Sequence, residues 1–114
     1  MSQIKIEEKT NGVVLSLKGQ FIGGEETDKL RDALVGIAQQ KKNKLVIDLA
    51  KATYLNSTAL GVLISAHANF VKREGKIVLC NVNKSIQNIF VITKLSLVFT
   101  IVETLDEAIK IITE

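Results

Sequence analysis

This 114-residue sequence predicts an α/β domain built on a mixed, mostly parallel β-sheet that opens with an antiparallel hairpin. Three features carry that reading. Two short segments of alternating polarity flank Thr10-Asn11-Gly12, amphipathic segments then alternate with short apolar runs, and no proline interrupts the chain. Strands separated by helices must be joined by crossovers, and crossovers generate parallel pairs. The expected order is β-β-α-β-α-β-α-β-α, with about four helices in one domain covering residues 1–114. A chain of this length buries roughly 65% of its unfolded surface.

Each element has its own signal. Ile4 and Ile6, then Val13, Leu15 and Leu17, alternate with polar residues, and Asn11-Gly12 supplies the positive backbone angles of a tight hairpin. Leu30, Ala33, Leu34 and Ile37 recur at helical spacing, with Glu25, Glu26 and Asp28 near the positive end of the dipole and Lys41-Lys42 past the other. Leu45-Val46-Ile47-Asp48-Leu49 is an apolar run typical of a strand covered on both faces. From Ser57 to about Arg73 the apolar residues fill more than one stripe, which predicts a largely buried helix stopped by Gly75. Ile77-Val78-Leu79-Cys80 reads as a strand, Ile86, Ile89 and Phe90 as a short helix, and Val98–Val102 as the last strand. Thr104 and Glu107 stand at capping-box spacing before Leu105, Ala108, Ile109 and Ile112 of a final helix.

Composition excludes several function classes. The net charge of +3 is spread evenly, with nine basic and seven acidic side chains up to Ser57 and six and five after it. The densest basic run, Lys41-Lys42-Asn43-Lys44, has no aromatic residue for base stacking, so it reads as a solvated helix end and not as a nucleic-acid or membrane contact. One cysteine, Cys80, excludes an internal disulfide, and one cysteine with one histidine, His67, excludes a structural zinc site made from those residues alone. A start with no basic-then-apolar leader, and no apolar stretch long enough for a membrane span, points to a reducing cytoplasm.

Enzyme readings lack parts. The pairs Gly23-Gly24 and Gly75-Lys76 do not match phosphate-loop or dinucleotide spacing, so no nucleotide cofactor is expected. Ser57 and His67 sit ten residues apart on one expected helix, roughly 15 Å apart at 1.5 Å per residue, and cannot form a dyad. Cys80 reads as an inert core thiol, His67 as a packing or surface residue, and Asp48 as a carboxylate that fixes the turn after its strand.

Tyr54-Leu55-Asn56-Ser57-Thr58-Ala59-Leu60-Gly61 differs from the rest: three small polar residues cluster between a strand exit and a buried helix. Helix capping needs only one of them. The first turn of that helix carries no acidic residue, so a phosphate on Ser57 would meet backbone amide donors without repulsion. On an acidic partner surface the same group, adding about −1.5 to −2 charges, would be repelled. Capping alone and a modifiable interaction site both remain open on these grounds.

This segment resembles the signature Asp-Ser-(Ser/Thr)-Gly-Leu-Gly of the STAS family, and within it the bacterial anti-sigma factor antagonists. Gly19-Gln20-Phe21, Val46-Ile47-Asp48-Leu49, Gly75-Lys76-Ile77-Val78-Leu79, Ile92-Thr93-Lys94-Leu95 and Asp106-Glu107-Ala108 extend the resemblance over nearly the whole chain. It implies a non-enzymatic switch without cofactor or metal. Ser57 would be phosphorylated by an anti-sigma factor serine kinase and dephosphorylated by a serine phosphatase. Partner contacts would fall on Phe21, Ile22, Gly23, Asn56, Ser57, Thr58, Leu60 and Gly61. Two positions depart from the family pattern, since Asn56 and Ile22 stand where antagonists commonly carry aspartates, which makes this surface less acidic. The alternative is a constitutive STAS scaffold, in a sensory complex or beside a transporter, in which the polar trio only caps a helix. A hydrolase using Ser57 would need a base that the sequence does not place nearby.

Overall fold

The computed structural model describes residues 3–10, 12–22, 24–40 and 43–113. Along the chain run β1 (Gln3–Glu8), β2 (Val13–Phe21), α1 (Gly24–Ala38), β3 (Lys44–Leu55), α2 (Ser57–Lys72), β4 (Lys76–Cys80), α3 (Lys84–Ile92), a 3-10 turn (Leu95–Leu97), β5 (Thr100–Val102) and α4 (Leu105–Thr113). The expected order is therefore found. The five strands lie in the sheet in sequence order, with β1 antiparallel to β2 and each later pair parallel. The Lys9 N–H donates to the Gly12 carbonyl at 2.8 Å and closes the hairpin. Asn11 of the expected turn, Lys41 and Lys42 at the end of the first helix, and Gly23 of the expected contact rim lie outside the described residues.

Two apolar layers hold the sheet. On one face Leu15, Leu17, Leu45, Ile47 and Leu79 meet Leu30, Leu34 and Ile37 of α1, Leu63 and Phe70 of α2 and Phe90 of α3. On the other, Val14, Val46, Val78 and Cys80 meet Ala108 and Ile112 of α4. This second layer explains a departure from the alternation in the sequence: Val13, Val14 and Leu15 are all buried because α4 covers what would otherwise be the wet side. At β1, Ile4 packs against the core while Ile6, on the same face of the strand, remains exposed.

Helix α2 is less enclosed than its composition implied. Ile64 and Val71 face solvent while Ala59, Leu63 and Phe70 face the sheet. Its stop also differs from the expectation. Glu74, not glycine, takes the left-handed conformation at φ 59°, and the bonds Glu74 N–H to Val71 O (3.0 Å) and Gly75 N–H to Phe70 O (2.7 Å) make a Schellman closure. Gly75 is required for a different reason, since a Cβ there would collide with the carbonyl oxygen of Asn43 and stand 3.0 Å from that of Phe70.

Strand β3 continues past the apolar run to Leu55, with register shifts against β2 after Asp48 and after Ala52. Asp48 does not fix a loop after the strand. Its Oδ1 accepts from the Ala50 N–H and from Asn81 Nδ2, each at 3.0 Å, and so pins the first irregularity inside the strand. β5 is shorter than the sequence suggested: Leu95–Leu97 coils into the 3-10 turn, Val98 follows it, and Phe99 turns inward against His67 (5.2 Å between ring centroids) and Phe90 (6.0 Å). α4 is capped as expected, with the Glu107 N–H donating to Thr104 Oγ1 at 3.2 Å.

Two outcomes follow from this packing. Gly75→Ala should destabilise the fold by about 1–3 kcal/mol, the usual cost of forcing an atom into a packed site, read as a lower denaturant midpoint with an unchanged slope. Burial, reinforced by the nearby Asp48 carboxylate, pushes the Cys80 thiol up from 9.0 to about 12. An acid whose folded pKa is raised stabilises fully below its unfolded pKa, so this contribution should fade as pH climbs from about 9 towards about 12. Thermal midpoints measured across that range in wild type and Cys80→Ala check it, because the variant lacks the thiol's share of the decline.

Candidate functional site

The site lies where β2 and β3 leave the sheet together. Phe21 is paired with Leu55 in the last register step, and the Asn56 N–H donates to the Phe21 carbonyl at 3.0 Å, which carries the pairing one residue further. Both Phe21 and Leu55 are anchored in the core. Ile22 and Asn56 are thereby held side by side as the chain enters α2 at Ser57.

Asn56 is the N-cap. Its backbone is extended (φ −86°, ψ −179°), its Oδ1 accepts the Ala59 N–H at 2.9 Å, and its carbonyl accepts the Leu60 N–H at 2.9 Å. One side chain thus does all the capping. The Ser57 and Thr58 hydroxyls make no hydrogen bond among the described residues, and both residues are exposed. Their two N–H groups, ahead of the capped Ala59, are likewise without a protein partner among the described residues, and no acidic side chain stands in this first turn. The helix start therefore presents donors and a positive dipole end to solvent beside an accessible hydroxyl.

Of the residues expected to form the contact rim, the structure brings Ile22, Asn56, Ser57 and Thr58 together at the surface, with Ile22 53% exposed. Two do not belong there. Phe21 is completely buried, because its position opposite Leu55 turns the ring onto the helix-covered face of the sheet. Leu60 is buried too, as part of the core cluster that holds Ala59 and Leu63. Gly61 is half-buried and Gly23 is outside the described residues.

Two exposed residues were missed. Tyr54, 46% exposed, precedes the inward Leu55 and so faces the other way; simple strand alternation would have found it. Ile64, 41% exposed, completes with Ser57 and Gly61 an i, i+4, i+7 stripe on α2, and the side-chain-free Gly61 keeps that stripe low between its two ends.

The arrangement presents an exposed hydroxyl at the start of α2. The His67 ring lies against Phe99 ten residues further along α2, its Nδ1 buried with no hydrogen-bond partner among the described residues. Among the described residues no cluster of three or more His, Cys, Asp or Glu could hold a metal ion, and no helix is long and apolar enough to cross a membrane.

Solved structures share this architecture. An anti-sigma factor antagonist from Mycobacterium paratuberculosis superposes with a TM-score of 0.88 at 22% identity, covering 100% of this chain and 96% of its own. An anti-sigma-factor antagonist (STAS) domain protein from Planctomyces limnophilus gives 0.84 at 17% identity, covering 97% and 98%. The phosphorylated form of SpoIIAA, a cell fate determinant of Bacillus, gives 0.77 at 16% identity, covering 95% and 97%. The family model for the STAS domain matches residues 3–108, nearly the whole sequence, and the chain belongs to the STAS domain family.

Proposed function

We propose that this STAS domain is an anti-sigma factor antagonist whose binding to an anti-sigma serine kinase is switched off by phosphorylation of Ser57. The observation that carries the reading is the division of labour at the start of α2: Asn56 satisfies the cap alone, which leaves the exposed Ser57 hydroxyl without a structural task. Likeness to anti-sigma factor antagonists, one of them in a phosphorylated form, supports it.

The charge change works in one direction within the domain and in the other at an interface. In the transfer, Ser57 Oγ attacks the γ-phosphorus of ATP, its proton passes to a base of the kinase, and ADP leaves. The resulting phosphate sits beside the Ser57 and Thr58 N–H groups and the positive end of the 16-residue helix, so the free domain tolerates it. Against a partner docked on Ile22, Asn56, Thr58 and Gly61, extended by Tyr54 and Ile64, the same dianion would be desolvated and unpaired, which costs several kcal/mol. Dephosphorylation by a serine phosphatase restores the binding form. Without carboxylates at Asn56 and Ile22, recognition rests more on apolar contact and less on acidic attraction.

Incubation with the cognate kinase and labelled ATP should place one phosphate on Ser57, mapped by peptide mass; label elsewhere, or none, sinks the mechanism. Ser57→Asp should weaken kinase binding by about 100-fold or more, following the cost of an unpaired interfacial charge, whereas a constitutive scaffold would keep its affinity within about twofold. Asn56→Ala should lower stability by about 1 kcal/mol through loss of the cap while still accepting label at Ser57.

A further inference from the structure

The outer edge of the sheet at β1 offers a second contact surface that does not include Ser57. β1 is the outer strand of the sheet, and among the described residues no element pairs with its outer edge. The Lys9–Gly12 hydrogen bond sets the phase of the hairpin. Antiparallel pairs alternate between bonded and unbonded, so Gln3, Lys5 and Glu7 direct their backbone groups to β2, while Ile4 and Ile6 direct theirs outward. Six residues of extended, proline-free edge with an apolar side chain 51% exposed at Ile6 form a template for another strand. The other edge, β5, has only three residues. Behind β1, on the Ile4 and Ile6 side, a trough of about 860 Å³ opens towards α1, where Ile4, Ile6 and Ala33 are rimmed by the charged Glu25, Glu26 and Lys29.

The charges of β1 select its partner. Lys5 and Glu7 point to the same face of the strand, flanking Ile6 on the other. Antiparallel self-pairings centred on Ile4, Lys5, Ile6 or Glu7 would keep the outward backbone groups bonded, and the one centred on Ile4 overlaps only Gln3 to Lys5 and opposes no two charges. Centring on Lys5 sets lysine against lysine, and centring on Glu7 sets carboxylate against carboxylate. Centring on Ile6 sets Lys5 opposite the partner's Glu7, and Glu7 opposite the partner's Lys5, with the two Ile6 side chains meeting on the trough side. Directly opposed unlike charges favour a register and like charges oppose it.

We propose that β1 pairs with β1 of a second copy of this chain about a two-fold axis at Ile6, joining two five-stranded sheets into one. The contact is isologous and closes on itself, so it yields dimers and not fibres. It uses little surface, which places it among weak, reversible associations. Phe21 and Leu55, with Ser57 after them, occupy the ends of the central strands, so the pairing leaves both copies of that site open.

Sedimentation equilibrium of the full chain up to about 1 mM should show a concentration-dependent dimer, with a dissociation constant on the order of 100 μM for an interface of this class. Lys5→Glu and Glu7→Lys, each creating two like-charge contacts, should weaken it about tenfold or more, and the combined exchange Lys5→Glu with Glu7→Lys should restore it to within about threefold. Both side chains are exposed, so the variants should keep the wild-type circular dichroism spectrum, measured as the control for folding. A monomer at every concentration overturns the proposal, as does a double exchange as weak as the single ones. A dimer indifferent to all three variants places the interface elsewhere. None of these outcomes bears on phosphorylation of Ser57.

Discussion

Much of the site depends on one backbone hydrogen bond, from the Asn56 N–H to the Phe21 carbonyl. It extends the β2–β3 pairing past two residues that are themselves locked in the core, Phe21 and Leu55. A strand that ends in this way has no freedom in where the following helix begins. Asn56 must stop the sheet and start α2 at the same point, and its extended backbone with a side chain reaching three residues on meets both demands. Ser57 owes its exposure to this junction. It is the first residue that neither the sheet nor the cap requires.

The same economy appears inside the sheet. β3 runs beside β2 but not residue for residue, and the first of its two register shifts is absorbed where Asp48 folds back onto the Ala50 N–H. Asn81, in the left-handed conformation after β4, donates to the same oxygen and ties the irregularity to the neighbouring strand exit. A carboxylate flanked by Ile47 and Leu49 is thus spent on backbone geometry. Its influence on Cys80, the residue opposite it in β4, is secondary to the burial of that thiol.

The two faces of the sheet are covered unequally. Three helices and the 3-10 turn cover one face, whereas α4 alone covers the other and reaches only the Val14, Val46, Val78 and Cys80 part of it. What remains is a polar area over β1 and the ends of β2 and β3, with Lys5, Ser16, Lys18, Asp48 and Lys51 about a shallow pocket of roughly 280 Å³.

Local patterns in the sequence were sufficient for the order of elements, for the parallel crossovers and for the helix that begins at Ser57, because periodicity and capping chemistry operate within a few residues. They also carried the resemblance around Asn56-Ser57-Thr58. Tertiary structure alone decided which apolar residues near that segment are available. Phe21 and Ile22 are neighbours of similar hydrophobicity, yet one is sealed and the other open, since only the pairing of Phe21 with Leu55 fixes which face each residue takes. Likewise Ile64 and Leu63 look alike in the chain and differ through the side of α2 that meets the sheet. Position relative to distant strands is a long-range property, and no local pattern encodes it.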